Sequence, residues 1–447
     1  MDHAELTLTE DRVDRTLSLD EYWMPFTPNR DFRREPKMVV RAEGVWLWNE
    51  RGSKLIDASS GLFCVNAGHC RREIADAVGK QLRELDFIAP FTRAHPKQFE
   101  LATRVAELTP GDLNRIFFTN SGSEAVDSAM KVALAYWQAK GQGGRTMFVS
   151  RDRAYHGVNF GGVSLSGMAN NRRKFGPTLP GIAHMRHTHL EDNLFVKGEG
   201  ATGADLAEDL ARFVTLYGAE TIAACFVEPI AGSTGCLVPP KGYLKRLREI
   251  CDQHGILLVF DEVITGWGRT GQAFAAQSFG DTPDLMTMAK GITNGAQPMG
   301  AVAVSERVHD TIFSAAAEGA VEFFHGYTYS GHPAACAAGL ATLDLYQNEG
   351  LFERGRDLSP HFLDAIFSLQ GTGPVTDIRG YGMMAAIDVA ADGAPGKRGH
   401  LLQKKLFDNG LHLKTTGDCA IIAPPLIADR SHVGMIADIL KKTLAAL

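Results

Sequence analysis

The segment LLVFDEVITGWGRTG, residues 257–271, decides between two α/β folds. Its last six residues, 266–271, match the G-x-G-x-x-G pattern that binds the pyrophosphate of dinucleotides. In that fold the glycines directly follow a strand and open a helix, and an acid follows about 20 residues later. Here DEVIT separates the apolar run from the glycines, and the first acid after them is Asp281. We therefore reject a dinucleotide site, and Asp261 and Glu262 need another explanation.

Three short apolar segments predict the strands of a buried parallel sheet: TIAACFV (221–227), GILLVF (255–260) and DLMTMA (284–289). They are continuously hydrophobic, as strands covered on both faces are. Between the first two, GYLKRLREICDQH (242–254) has apolar residues at helical spacing. Strand, helix and strand in this order predict a parallel α/β unit. Upstream, RIFFTN (115–120) runs into SGSEAVDSAMKVALAYWQAK (121–140), whose Ser121-Gly-Ser-Glu124 start is a capping box and whose alanine-rich run predicts a helix.

The composition excludes several classes of protein. The 447 residues, 45% of them hydrophobic, predict two or three domains with a sizeable core. A formal net charge of −6 argues against a nucleic-acid partner. The apolar runs are shorter than the about 20 residues of a membrane span, and the N-terminus has no apolar signal region. Seven cysteines without C-x-x-C spacing indicate the reducing cytoplasm.

Each of the three apolar segments ends at a charged residue: Glu228, Asp261 and Lys290. Ligands of open parallel sheets bind outside the carboxyl ends of the strands. A single charge there would only mark the return of the chain to solvent. Three of them, from three strands, predict an acid, an acid and an amine at one edge of the sheet.

The segment TNSGSEAV, residues 119–126, is the better candidate for binding a phosphate. Gly122 lets the backbone approach an anion, and the helix that follows directs free N–H groups and its positive end toward it. A phosphate site, a carboxylate and a lysine are together what pyridoxal phosphate requires. Asp261 would keep the ring nitrogen protonated, and Lys290 would form the Schiff base and act as the base for the Cα proton.

Motifs along nearly the whole chain resemble those of one family. They are YWMPFTPNRDF, SGLFCVNAGH, FFTNSGSEAVDSAMK, YHGVNFGG, VEPIAGSTG, VFDEVITGWGRTG, MAKGITNGAQPMGAV, FFHGYTYSGHP and TGDCAIIAPPLI. The chain is similar to class III (ω-amino-acid) aminotransferases, and within them to the β-alanine:pyruvate or ω-amino acid:pyruvate group. The separation of Asp261 and Lys290 is the one that this family uses.

The resemblance implies an α/β protein of the fold-type-I class of pyridoxal-phosphate enzymes. We expect a large domain with a mostly parallel seven-stranded sheet at residues 76–330. A small α+β domain would combine an N-terminal segment, 1–75, with residues 331–447. The resemblance also implies a cytoplasmic homodimer with shared active sites. Such an enzyme would move an amino group from a small-molecule donor to a keto acid, pyruvate, by a ping-pong mechanism.

The resemblance also implies roles for individual residues. Lys290 and Asp261 are the expected catalytic residues. Tyr155 would stack on the cofactor ring, Val263 would pack on its opposite face, and Thr328 would reach the phosphate of the neighbouring subunit. The full set of cofactor-binding candidates is Ser121, Gly122, Ser123, Tyr155, His156, Glu228, Asp261, Val263, Lys290 and Thr328. The substrate-binding candidates are Trp23, Phe63, Phe91, Tyr155 and Lys414.

The chain departs from the family at two of the substrate positions. Close relatives carry tryptophan at the position of Phe63 and arginine at that of Lys414. The arginine binds a substrate carboxylate through its planar fork, and Lys414 keeps the charge without that fork. This difference favours an amine without a carboxylate as the donor. Alternatively, Lys414 faces solvent and Arg379 or Arg93 receives the carboxylate.

Other functions remain open from the residues alone. An aminomutase or decarboxylase of the same fold type would share Lys290 and Asp261, and a non-catalytic cofactor-binding protein is a rival of another class.

Three histidines in HMRHTHLED, at positions 184, 187 and 189, resemble a metal site. No role in the family supports a metal there, and we expect a surface loop and no metal. The physiological donor is open: β-alanine, taurine, a polyamine or a simple amine.

Overall fold

The structure is a computed structural model that describes residues 5–10 and 13–447, with side chains from Ser18 onward. Its strands, in chain order, are β1 (Glu5–Glu10), β2 (Val13–Ser18), β3 (Val39–Glu43), β4 (Trp46–Asn49), β5 (Lys54–Asp57), β6 (Arg115–Thr119), β7 (Met147–Arg151), β8 (Ile182–Met185), β9 (Ile222–Val227), β10 (Leu257–Asp261), β11 (Leu285–Met288), β12 (Gly300–Val304), β13 (Val375–Tyr381), β14 (Met384–Val389), β15 (Leu411–His412), β16 (Lys414–Thr416) and β17 (Cys419–Ile422).

The α-helices connect and cover these strands. In chain order they are α1 (Asn29–Arg34), α2 (Ser60–Phe63), α3 (Arg72–Glu84), α4 (Pro96–Ala106), α5 (Gly122–Ala139), α6 (Phe160–Leu165), α7 (Ala169–Arg172), α8 (Glu208–Tyr217), α9 (Tyr243–His254), α10 (Ala275–Phe279), α11 (Glu306–Ala315), α12 (Pro333–Asn348), α13 (Leu351–Phe367), α14 (Lys397–Asp408) and α15 (Arg430–Ala445). Short 3₁₀ turns lie at Glu191–Asn193, Ala204–Ala207, Ala219–Thr221 and Lys290–Thr293.

A seven-stranded sheet forms the centre of the molecule, in the order β6-β12-β11-β10-β9-β7-β8. Only β12 runs antiparallel to its neighbours β11 and β6; the other pairs are parallel. Every residue of β9, β10 and β11 is buried. This confirms the strands expected from the three continuously apolar segments, and α9 confirms the helix expected between the first two.

Two smaller sheets complete the fold. One is antiparallel, in the order β13-β14-β17-β16, and the other has the order β15-β5-β4-β3. In the second sheet, β15 pairs in parallel with β5, so residues from near the two ends of the chain share one sheet. A large mostly parallel sheet with a smaller antiparallel unit is the fold class expected from the sequence. No helix within the described ranges is long and apolar enough to cross a membrane.

Candidate active site

A cavity of about 120 Å³ opens at the carboxyl ends of β7, β9, β10 and β11. The three charges that end the apolar segments meet there, as expected from the topology of a parallel sheet. The cavity is lined by Gly122, Ser123, Tyr155, His156, Gly157, Glu228, Asp261, Val263, Ile264, Ala289 and Lys290. Eight of these residues are candidates from the sequence.

Asp261, the last residue of β10, is held in place by its neighbours. Nδ1 of His156 donates to Oδ2 of Asp261 at 2.8 Å, and the N–H of Val263 donates to Oδ1 at 3.2 Å. The other ring nitrogen of His156 lies 3.1 Å from Oγ of Ser150 in β7. Asp261, His156 and Ser150 are all buried. The carboxylate is therefore fixed in orientation by a hydrogen-bonded chain that reaches across the sheet.

Lys290 opens a 3₁₀ turn two residues after the end of β11. Its φ of +50° is unusual for a residue with a side chain and directs the chain sharply away from the sheet. Nζ lies 5.7 Å from the centre of the Phe63 ring. The amine thus lies in the cavity with Asp261, under an aromatic ring from the N-terminal part of the chain.

The N-terminus of α5 forms the opposite end of the cavity. Ser121 caps the helix by accepting the N–H of Glu124 at 3.2 Å, while the Glu124 carboxylate accepts the N–H of Asn120 at 2.7 Å. The N–H groups of Gly122 and Ser123 belong to the first turn, where no helical acceptor exists. They are free to bind an anion. Oγ of Ser123 accepts the N–H of Val158 at 3.0 Å and keeps its own proton to donate.

Gly122 is required by a close approach. A Cβ at this position would lie 3.0 Å from both methyl groups of Val263 and 3.6 Å from Cβ of Ala289. A Cβ on Gly157, whose φ is +100°, would lie 2.5 Å from Oγ of Ser123. The two glycines therefore leave open a space that any other residue would begin to fill.

Glu228, the residue after β9, lines the cavity but is satisfied by backbone donors. Its carboxylate accepts the N–H of Tyr155 at 2.9 Å and that of Gly232 at 3.0 Å. Burial raises the pKa of Glu228 to about 7; the charge of His156 lowers it and that of Asp261 adds to the rise. Glu228 thereby fixes the backbone of Tyr155 and adds a readily protonated carboxyl group to the cavity wall.

The second acid of the opening segment, Glu262, has a structural role. Its carboxylate accepts the N–H groups of Ala275 and Ala276, each at 2.7 Å, and the hydroxyl of Thr265 at 2.8 Å. Burial raises its pKa to about 7, against the effect of these hydrogen bonds. Glu262 therefore holds the start of α10 and does not line the cavity.

The glycines of the dinucleotide-like motif have a packing role. Gly268 and Gly271 have φ of +95° and +86°. A Cβ on Gly268 would lie 2.5 Å from a methyl group of Leu426, and one on Gly271 would lie 2.9 Å from Cβ of Arg356. The segment packs against C-terminal parts of the chain, which explains the glycines without a bound dinucleotide.

Two substrate candidates lie beside the cavity. Phe63 is buried, and its ring faces the amine of Lys290. Lys414 is partly buried at the start of β16, and no hydrogen bond to Nζ occurs within the described part of the chain. Burial lowers the pKa of Lys414 to about 8; the charge of Lys290 lowers it further and that of Glu228 opposes this.

The two alternative carboxylate receptors are placed differently. Arg379 is buried, and its guanidinium already donates to both oxygens of Asp388 and to Asp377. Arg93 is exposed and donates to the carbonyl of Thr92. Neither lines the cavity; Lys414 does not line it either, but its charge and that of Lys290 act on each other.

Three further candidates lie outside the cavity of this chain. Trp23 and Phe91 are 86% and 55% exposed, and Thr328 is exposed in a turn after α11. Phe91 lies near this turn, since a Cβ on Gly326 would be 3.3 Å from its ring. A single chain therefore does not bring these three residues to Lys290.

One of the three histidines joins a cluster of carboxylates. His189, Asp377 and Asp388 have ligand atoms within 4.8 Å of one another. The Arg379 guanidinium donates to both carboxylates, and burial, with help from Arg379, lowers the pKa of His189 to about 4. The positive charge that the two carboxylates of this cluster bind is the guanidinium of Arg379.

The sequence interpretation missed some residues of the site. Gly157, Ile264 and Ala289 line the cavity, and Ser150 is the second partner of His156. Gly157, Ile264 and Ala289 are direct neighbours of residues that we singled out, so proximity along the chain was the available signal. Nothing in the sequence pairs Ser150 with His156.

Comparison with known proteins identifies the family of the chain. Residues 29–444 match the family model described as Aminotransferase class-III. An omega-aminotransferase of Caulobacter vibrioides is 50% identical over 95% of this chain and 97% of its own. An omega-amino acid–pyruvate aminotransferase of Pseudomonas putida is 48% identical, covering 96% and 97%. A beta-alanine–pyruvate aminotransferase of Pseudomonas aeruginosa is 47% identical, covering 97% of each chain.

Solved structures of the same kind share the fold. An (S)-enantioselective omega-transaminase from Thermomicrobium roseum superposes with a TM-score of 0.90 at 37% identity, covering 96% of this chain and 97% of its own. The omega transaminase from Pseudomonas jessenii in complex with PMP gives 0.90 at 32% identity, covering 96% of each. The fold is that of a fold-type-I transferase. The chain belongs to the class-III aminotransferases, and it is an aminotransferase of the omega type.

Proposed function

We propose that this aminotransferase uses pyridoxal phosphate to move an amino group from an ω-amino acid or a primary amine to pyruvate. The observation that carries the proposal is one cavity that joins the amine of Lys290, the carboxylate of Asp261 and the N-terminus of α5. Relatives named for pyruvate as acceptor, at 47–48% identity, support the choice of acceptor.

The residues of the cavity fit pyridoxal phosphate. When bound, this cofactor supplies an electrophilic carbonyl carbon and a ring that withdraws electrons from the substrate. Its phosphate would meet the free N–H groups of Gly122 and Ser123 and the hydroxyl of Ser123, where the glycines leave room. Tyr155 and Val263 would enclose the ring from its two sides.

Asp261 would hold a proton at the ring nitrogen. His156, with both of its ring nitrogens engaged, keeps the carboxylate pointing in one direction. A fixed charge of this kind needs no reorganisation during the reaction, which is why preorganised electrostatics is effective in catalysis. Glu228 positions Tyr155 through its backbone N–H.

Lys290 would bind the cofactor with its amine and then move the proton of the substrate Cα. A general base works best when its position is fixed. The left-handed turn at Lys290 and the Phe63 ring above Nζ provide such a position.

We propose a homodimer in which each active site is completed by the other chain. Thr328 would reach the phosphate of the partner subunit, and Trp23 and Phe91 would contribute to the substrate side. All three are exposed in one chain, and exposed aromatic side chains also occur nearby at Phe324 and Tyr329. Exposed apolar patches are typical of protein interfaces.

Specificity for the donor would depend on Phe63, Tyr155 and Lys414. Lys414 would receive a substrate carboxylate as a point charge without the bidentate geometry of arginine.

We also propose that the enzyme works in the cytoplasm, because its seven cysteines are all free, as in a reducing compartment.

The proposal is tested by two half-reactions on the purified holoenzyme. Addition of an amine donor should bleach the visible absorbance of the cofactor, and addition of pyruvate should restore it with formation of alanine. β-Alanine, taurine, putrescine and 1-phenylethylamine, each paired with pyruvate, would define the donor. Absorbance that does not respond to any donor, or does not recover with pyruvate, would refute the proposal.

A further inference from the structure

A second pocket lies at the opposite edge of the central sheet from the active site. It has a volume of about 360 Å³, and half of its lining residues are basic or aromatic. Arg145 precedes β7 and Gly255 precedes β10, so the pocket lies at the amino ends of these strands. We call it the basal pocket, and its principal residues are Trp137, Lys140, Arg145, Arg248, Gly255 and Arg307.

Arg145 is the central cation of the basal pocket, and it is nine-tenths buried. Its Nη1 donates to the carbonyls of Ala219 and Ile222 at 2.7 and 3.1 Å, and its guanidinium lies 4.1 Å from the centre of the Trp137 ring. Nη2 makes no hydrogen bond to the described residues, and it lies near Gly255 in the pocket wall. Burial lowers the pKa of Arg145, which is the effect of a charge without a close counter-ion.

The cations around Arg145 are only partly neutralised. Arg248 pairs with Asp284 at 3.0 Å and with Asp252 at 2.7 Å, and Asp284 also pairs with Arg307. Nε of Arg248 has no hydrogen-bond partner among the described residues, but it is fully buried and cannot be reached from the pocket. Lys140, at the end of α5, forms no ion pair within the described ranges.

The balance of charge in the basal pocket is therefore positive. Four cations line it, whereas Asp252 and Asp284 pair with them and Glu220 acts on Arg145 from a greater distance. This contrasts with the formal net charge of −6 of the whole chain. Unsatisfied donors of fixed direction beside an excess of positive charge are typical of oxyanion sites.

We infer that the basal pocket binds a compact dianion of the phosphate class, held by Nη2 of Arg145 and the ammonium of Lys140. Guanidinium groups match the oxygens of a phosphate, and a lysine adds a point charge. The pocket is larger than inorganic phosphate needs and has room for the organic part of a small phosphate ester. This site is separate from the anion end of the active-site cavity.

Calorimetric titration of the holoenzyme with inorganic phosphate tests the inference. The cofactor occupies the anion end of the active site, so added phosphate reports on other sites, and constant ionic strength removes general screening. We expect saturable binding of one phosphate per chain. A parallel titration with glycerol 3-phosphate distinguishes free phosphate from a phosphate ester, according to which binds more tightly.

Lys140→Gln should weaken the binding about tenfold, the effect of one charge-assisted hydrogen bond. Arg145→Lys, which removes the Nη2 donor, should weaken it as well. Lys80→Gln, on the exposed face of α3, is the matched control and should bind like the wild type. Circular dichroism would verify that each variant is folded. Absence of saturable binding, or binding that Lys140→Gln and Arg145→Lys leave unchanged, would overturn the inference.

Discussion

Oδ2 of Asp261 lies 2.8 Å from Nδ1 of His156, at the end of a buried strand, and the second nitrogen of this histidine faces Ser150. The side chain that would hold the cofactor's ring nitrogen is thus itself fixed from behind. The bond matters because a carboxylate that is fixed in place stabilises a positive charge better than one that must rotate.

Asp261→Asn keeps the shape of the side chain and removes its charge. Because the amide cannot hold a proton at the ring nitrogen, the chemical step should slow by about two to three orders of magnitude. Stopped-flow absorbance of the half-reaction with an amine donor measures this step directly. A rate equal to that of the wild type would rule out the role of Asp261.

Lys290→Ala should abolish turnover while the protein remains folded. Alanine and lysine both carry a Cβ, so the strain of the φ of +50° is the same in both and stability should change little. Thermal unfolding checks the fold, and steady-state alanine formation checks the activity. A variant that sustains transamination would show that another residue moves the proton.

Gly122→Ala should weaken binding of pyridoxal phosphate. The new methyl group would lie 3.0 Å from both methyl groups of Val263, so Val263 must move toward the space that the ring would occupy. Gly144→Ala is the control, because its Cβ would meet no atom within 4 Å. Titration of the apoenzyme with cofactor should show a loss of affinity of about tenfold or more for the first variant only.

The proposed dimer predicts that subunit contacts and cofactor retention are coupled. Dilution to monomers should release the cofactor and abolish activity at the same time, because Thr328 would then no longer contact the cofactor phosphate in the partner subunit. Sedimentation velocity at several protein concentrations, with absorbance of the bound cofactor, follows both quantities. A monomer that keeps its cofactor and full activity would contradict shared sites.

The sequence predicts those parts of the fold and site that depend on local patterns. Continuous apolar runs identified β9, β10 and β11, and their ends located Glu228, Asp261 and Lys290. The sequence favoured Asp261 over Glu262 because Asp261 directly ends the apolar run, and adjacent residues at a strand end point to opposite sides. The structure shows that only Asp261 lines the cavity.

Sequence patterns could not predict contacts that depend on how distant parts of the chain, or two chains, come together. The contact of Ser150 with His156 joins two residues whose orientation depends on how the loop after β7 folds back. Trp23, Phe91 and Thr328 lie away from the cavity of their own chain, and under the proposed homodimer they would serve the site of the partner. Patterns within a chain carry no information on contacts between chains.

The ionisation of Lys414 predicts a pH dependence of donor choice. Its pKa, lowered by burial to about 8, means that Lys414 is charged at pH 7 and loses its charge as the pH rises through 8. An arginine at this position stays charged over the whole range. The kcat/KM for β-alanine should therefore be higher in Lys414→Arg than in the wild type, by about tenfold at pH 7 from the forked contact. The kcat/KM for pyruvate, which also carries a carboxylate, should likewise be higher in Lys414→Arg than in the wild type.

The ratio of variant to wild type isolates this effect, because the ionisation of the donor amine is the same in both enzymes and cancels. For β-alanine the ratio should rise further between pH 7 and 9, as the wild type loses its cation. For 1-phenylethylamine, which has no carboxylate, it should stay near one at every pH. A ratio that is independent of pH for both donors, or equal for the two donors, would show that Lys414 does not bind the substrate carboxylate.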